Sequence, residues 1–296
     1  MAKEMVHNIG MALFFFPFTV LAPAESISEL RQSCRTDRYE EPSPENLKAA
    51  DRLFAKLFSG DSAIAAITAI SMELHLEIVE VSGAGENFFV LKESGSKKGW
   101  GMYVFRRKNY VPVALEAPHS FDDVGTGDLT ELLFLESRAH AAAWNTAPRS
   151  ATIAGRTETA DLAHLPDSVF HSFTRALAST HPQGIVLQLH GFDRTERASD
   201  KGMKSQIILS NGTRLPPDWL LQMKPCLETG LSEAVSVFPR DVAELGAMTN
   251  THKKLLQSLG HHGFVHLEMG LPLRRQLKCS AELRKALWRC IPEKQS

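Results

Sequence analysis

The chain lacks almost every feature that would mark it for a nucleic acid, a nucleotide or a repeat architecture. Its 33 Lys and Arg balance 34 Asp and Glu, for a formal net charge of -1. The basic residues are scattered, so a polyanion-binding stripe is missing and nucleic acid is not an expected partner. Neither GxGxxG nor GxxxxGK occurs, and the GTG at Gly125 to Gly127 is too little to cradle a phosphate. No repeat, coiled-coil pattern or low-complexity tract is present. Cysteine is scarce: Cys34, Cys226, Cys279 and Cys290 lack the close paired spacing of a structural zinc site. What remains, at 296 residues with 43% apolar and 23% charged, is a globular chain long enough for one substantial core or two small ones.

Long hydrophobic runs are also missing, with one exception at the start. Lys3 precedes the apolar stretch Ile9 to Ala22, which is followed by Pro23 and Ala24. A weakly positive start, a short apolar core and small residues at Ala22 and Ala24 read as a secretory signal peptide over 1–24, cleaved after Ala24. The stretch is short for a membrane-spanning helix, so the mature chain 25–296 is expected in the periplasm or secreted, with no integral membrane segment. In that setting the four cysteines are expected to form up to two disulfides, and three complete pairings are open.

Residues 25–110 read as a helical and hairpin portion. Ser43 before Pro44 can cap a helix with Leu47, Leu53, Phe54, Leu57 and Phe58 on one face. MELHLEIVEV, ENFFVLKES and WGMYVFRRK are short, β-branched or aromatic runs separated by Gly, Ser, Lys and Asn, as in antiparallel hairpins. No linker separates them from residues 111–296, where strands alternate with helices. That pattern predicts an α/β fold, with a mixed, mostly parallel central sheet covered by helices on both faces and a single domain over 25–296. The helical pattern beginning at Asp128 is expected to run on through AHAAAW.

The stretch VPVALEAPHSFDDVGTG, Val111 to Gly127, organises this second part. A buried strand ends at Ala117, and His119, Asp122 and Asp123 follow in a turn before the next helix. Two later strands end in the same way, IVLQLHG at His190 and GFVHLEMG at Glu268. Zinc at a catalytic site takes about three N or O donors and keeps a water position open. Ligands also gather at the carboxyl ends of parallel strands. The alternative for His119 is an ordinary loop histidine, and for the aspartates helix capping. The long NTAPRSATIAGRTETADLAHLP stretch reads as a functional loop. In it Arg149, with Arg156 as its rival, can clamp a substrate carboxylate. Asp161, His164 and Asp167 are candidate substrate-contacting or ligand-supporting groups, Asp167 being equally a helix cap. His171 stands at helical spacing from Asp167.

APHS…D…GTG, the strand-end LHG and the late VHLEMG followed by LR resemble the zinc-carboxypeptidase-like superfamily, on its N-formylglutamate amidohydrolase and poly-gamma-glutamate hydrolase side. The resemblance covers roughly Val111 to Leu277. It implies a mixed α/β sheet, one zinc ion, and hydrolysis of an amide bond near a carboxylate, on a small acidic peptide or acyl-amino-acid substrate. It further implies His119, Asp122 and His190 as metal ligands, with Asp123 as the alternative carboxylate, and Glu268 as general base and acid. The chain departs from the pattern in having Asp122 where carboxypeptidases have Glu, and Phe121 where the amidohydrolases have glycine. A secreted zinc-containing ligand-binding module without turnover is the alternative function.

Overall fold

The computed structural model describes residues 25–60 and 63–295, so the expected signal peptide lies outside the described residues. In chain order the elements are α1 (Ile27–Ser33), α2 (Pro44–Phe58), α3 (Ile64–Glu73), β1 (Leu76–Gly83), β2 (Glu86–Glu93), β3 (Met102–Arg106), β4 (Val111–Ala117), α4 (Thr126–Glu136), β5 (Ala139–Trp144) and α5 (Val169–Thr180). They continue with β6 (Ile185–Phe192), α6 (Asp200–Lys204), β7 (Ile207–Ser210), α7 (Asp218–Leu231), β8 (Val235–Val237), α8 (Thr251–Ser258), β9 (Phe264–Gly270), α9 (Leu271–Cys279) and α10 (Ala281–Arg289). Ser43 caps α2 by accepting from the Asn46 amide, and Pro44 occupies its first turn.

All nine strands form one sheet, in the order β1-β2-β3-β5-β4-β6-β9-β7-β8. The pairings β5/β4, β4/β6, β6/β9 and β7/β8 are parallel. Those of β1/β2, β2/β3, β3/β5 and β7/β9 are antiparallel. The sheet is thus a mixed α/β sheet whose centre is parallel. The N-terminal hairpin joins its edge and raises the antiparallel share to half.

One expectation fails at AHAAAW. The helix stops at Glu136, and Ala139–Trp144 is a wholly buried strand paired on both sides, with β3 and β4. Alanine's advantage in a helix is only about 0.5 kcal/mol per residue over β-formers. Filling the gap between two strands satisfies backbone groups on both edges and outweighs it. The small side chains also let helices approach both faces closely.

Those faces are built from alternate residues of each strand. Val113, Leu115, Leu187, Leu189, Val265 and Leu267 pack beneath α1, α4, α7, α9 and α10. Ala114, Val186 and Phe264 pack with the aromatic core of α2 and α5, around Phe54, Phe58 and Phe173, and with Leu256 of α8. Because strand side chains alternate with period two, Glu116, Gln188, His190, His266 and Glu268 all fall on this second face. Cys226 of α7 is bonded to Cys290 at the end of α10, with Cα atoms 5.6 Å apart, while Cys34 and Cys279 are free. The pairing left open by the sequence is therefore a single long-range bridge among the described residues. No helix among them is long and apolar enough to cross a membrane.

Candidate metal centre

Parallel pairing of β6 with β9 sets His190 opposite Glu268 and Gln188 opposite His266. One strand over, β4 ends at Ala117 and the chain coils into a tight turn in which the amides of Asp122 and Asp123 both donate to the His119 carbonyl, at 3.0 and 2.9 Å. The turn is anchored to the end of β5, where Asn145 Oδ1 accepts from the Ser120 amide at 2.8 Å. A single helical turn returns residue i+4 to the side of residue i, so Asp123 faces inward beside His119. Asp122 is exposed, and its Oδ2 takes only a 3.4 Å contact from the Arg149 amide. The resemblance implied Asp122 as the ligand; the geometry brings Asp123 to the histidines instead.

Both imidazoles are oriented the same way. His119 Nδ1 lies 3.6 Å and His190 Nδ1 3.3 Å from Asp123 Oδ2. The opposite nitrogens meet acceptors: His119 Nε2 is 2.7 Å from Asp161 Oδ1, and His190 Nε2 is 3.3 Å from Gln188 Oε1. With a cation between the Nδ1 atoms and Asp123, the acceptor behind each ring would hold the proton on Nε2, the usual support of a metal-bound histidine. The donor atoms of His119, Asp123 and His190 lie within 4.8 Å of one another, as do those of His190, His266 and Glu268. His266 Nδ1 and Glu268 Oε2 are buried without a hydrogen-bond partner, which is rare for protein polar atoms and marks a site made for something else to complete. Two imidazoles and a carboxylate are a donor set that suits zinc and its neighbours in the first transition row.

Electrostatics divide the acids and bases. Burial opposes the charge on His119, but the carboxylates of Asp123 and Asp161 beside it raise its pKa to about 9. Burial likewise opposes ionisation of Asp123 and Asp161, yet the adjacent imidazoles hold both well below the usual carboxylate range, with Arg149 helping at Asp161. Burial and neighbouring positive charge push His190 down and His266 further. Glu268 behaves oppositely to the aspartates: burial first, and the charge of Asp123 second, push it up to about 8.

His119, Asp123, His190, His266 and Glu268 line a cavity of about 310 Å³. Arg149 and His164 are at its wall, so the long loop does reach the site. The Arg149 guanidinium donates to Asp161 and lies 3.4 Å from His119 Nδ1. His164 is 3.3 Å from Asp161 and also contacts the Thr249 hydroxyl. Two candidates lie elsewhere. Arg156 is exposed and pairs with Glu41 at 2.6 Å, because a local turn carries it away from the sheet. Asp167 is exposed, and the cap of α5 is Ser168, which accepts from the His171 amide. His171 in turn contacts the Thr251 carbonyl rather than Asp167. Sequence reasoning missed Glu116, Gln188, Asn250 and His266. Gln188 and His266 stand two residues before His190 and Glu268 in otherwise apolar strands, a same-face signal that was open to reading.

No protein-family model matches the chain. No curated protein matches it either. Among solved structures its fold is similar to that of N-formylglutamate amidohydrolase from Ralstonia eutropha JMP134, at 12% identity and a TM-score of 0.44 over 65% of this chain and 97% of that one. It is also similar to a bacteriophage poly-gamma-glutamate hydrolase, at 13% identity and a TM-score of 0.38 over 64% and 87% of the two chains. Both likenesses concern the fold alone.

Proposed function

We propose that the chain is a zinc-dependent hydrolase that cleaves an amide or peptide bond next to a carboxylate-bearing group, acting in the periplasm or outside the cell. The observation that carries this reading is the convergence of three oriented donors, His119, Asp123 and His190, on the side of a cavity where Glu268 keeps an uncommitted oxygen. Zinc held by those donors would supply a Lewis acid for the scissile carbonyl and would lower the pKa of an attacking water. Asp161 and Gln188 hold the two imidazoles in place from behind. Glu268 takes the proton released in the attack and returns it to the leaving nitrogen. Its raised pKa belongs to the metal-free site, and a dication close by shifts a carboxyl back toward the ionised base.

Arg149 is placed to bind the substrate. Its side chain is 40% exposed at the cavity wall, and releasing Asp161 and His119 Nδ1 would free its guanidinium to meet a substrate carboxylate. A volume of about 310 Å³ suits a dipeptide or acyl-amino acid and not a folded polypeptide. The Cys226–Cys290 bridge supports an oxidising compartment.

The test is E268Q, which keeps size and hydrogen-bonding capacity but cannot act as the base. Zinc content should stay near wild type, while turnover of acidic amide substrates falls on the order of a hundredfold or more. Wild-type turnover by zinc-loaded E268Q removes Glu268 from the mechanism. Zinc-loaded wild type that binds acidic peptides yet releases no amine favours the ligand-binding module.

A further inference from the structure

A second cleft, of about 640 Å³, adjoins the metal centre. It shares Asp123, Gly191, Phe192 and Asp193 with the first cavity. Arg149 and Glu268 line only the first, while Val124, Met203, Leu271 and Arg274 line only the second. The common wall is the end of β6 and the turn that carries Asp123, so one molecule can occupy both spaces with its middle at the metal donors.

The second cleft is apolar where the first is polar. Val124 is 63% and Met203 38% exposed, and Leu271 is partly buried. They come from the turn after β4, from α6 and from the start of α9, and none of the three belongs to a core cluster. A single exposed apolar side chain is ordinary, but convergence from three elements marks a surface that meets a ligand. Arg274 adds a donor. It is 6% exposed, its Nη1 donates to the Val124 carbonyl at 2.6 Å, and its Nε is buried without a partner. Among the described residues no acceptor meets its Nη2. The guanidinium lies against Gly191, where a Cβ would come within 2.2 Å of Nη1, so it sits one residue from His190 with most of its five N–H groups uncommitted. Charge narrows the ligand further. Asp122, Asp123 and Asp193 line this cleft against Arg194 and Arg274, which disfavours a second carboxylate there.

We propose that this cleft receives the acyl half of the substrate, a neutral N-acylated residue with an apolar side chain, whose outer carbonyl oxygen accepts from Arg274. The inference rests on the hydrolase reading, in which Arg149 holds the carboxylate of the departing half, and it names what stands on the other side of the scissile bond.

The experiment compares N-acetyl-leucyl-glutamate with its glycyl and glutamyl counterparts and with isocaproyl-glutamate, which lacks only the acetamido group. Affinities are read by calorimetry on E268Q with zinc present, and glutamate release is followed in wild type. The leucyl ligand should bind about tenfold or more tighter than the glycyl one, from burial of its side chain. It should exceed isocaproyl-glutamate by about tenfold or more, from the bond to a charged donor. In a second background, L271D, the leucyl advantage should disappear, and Asp is favourable in the first turn of a helix, so the fold should hold. In R274M the acetamido advantage should disappear while the leucyl one remains. Equal affinity for the leucyl and glycyl ligands overturns the proposal whether or not either variant folds. So does equal affinity for the leucyl and isocaproyl ligands, tighter binding of the glutamyl ligand, or no binding of any of the four. A leucyl preference without glutamate release by wild type upholds the cleft and refutes the hydrolase reading, and equal release from all four does the reverse.

Discussion

Asparagine at position 123 is the most discriminating perturbation of the site, because its neighbour provides the control. Asp123 Oδ2 is the atom that both Nδ1 donors face, at 3.6 and 3.3 Å, and it also accepts from the Gly191 amide at 3.0 Å. Four-ligand structural zinc sites bind with roughly 10–16 kcal/mol, or about 3 kcal/mol per donor. Asparagine keeps an oxygen but loses the charge, so D123N should forfeit most of that amount, about a hundredfold in Kd. Asp122 makes only the 3.4 Å contact with the Arg149 amide, so D122N should stay within about threefold of wild type. The assay is zinc competition against a chromophoric chelator at pH 7.5, with circular dichroism to confirm that each variant is folded. A hundredfold loss in D122N, with D123N near wild type, would refute the assignment and restore the carboxylate three residues after the histidine.

Two further outcomes follow from the same geometry. His140 in β5 stacks on Tyr110 with ring centroids 3.5 Å apart and has both nitrogens buried without a partner; burial first, then His181 and Arg106, push its pKa down to about 3. With an unfolded value of about 6.5, the unfolded chain takes the proton first, so stability is full above pH 6.5 and falls toward pH 3 by as much as about 5 kcal/mol. H140F keeps the aromatic contacts and removes the proton site, so its denaturant midpoint should fall less between pH 6.5 and 4, and parallel curves for the two proteins would count against the buried neutral ring. Replacing Arg149 with Gln should lower kcat/KM on carboxylate-bearing substrates about 10–150-fold, the range of a charge-assisted hydrogen bond worth ~1.5–3 kcal/mol, and leave amide-capped analogues little changed. Equal losses on both would make Arg149 a support for Asp161 alone.

The outline of the fold was legible because hydrophobic periodicity is a local signal. Short β-branched runs became β1, β2, β4, β6 and β9, and the amphipathic stretch after Ser43 became α2. Where local preference and tertiary demand disagree, sequence reading fails, as it does at AHAAAW. There a run of helix formers completes a sheet that no window of ten residues can see. The disulfide is the same kind of case: Cys226 and Cys290 meet because α7 and α10 pack together, which spacing does not encode.

At the site, the residues ending strands stood out, since a polar group after an apolar run is conspicuous. The choice between Asp122 and Asp123 turned on the phase of one helical turn, which adjacent identical residues conceal. The supporting groups were missed for another reason. Glu116 in VALEA, Gln188 in VLQL and His266 in FVHL are isolated polar letters inside strands buried on both faces, and each is easily taken for noise in a hydrophobic run. Energetically they are the opposite of noise, because a polar group left unpartnered in a central strand costs several kcal/mol. Here Glu116 meets Gln188, and Gln188 meets His190. His266 and Glu268 keep atoms unpartnered at the cavity wall. A polar residue in a buried strand, with a second one two positions later, therefore points to a site more sharply than either residue alone.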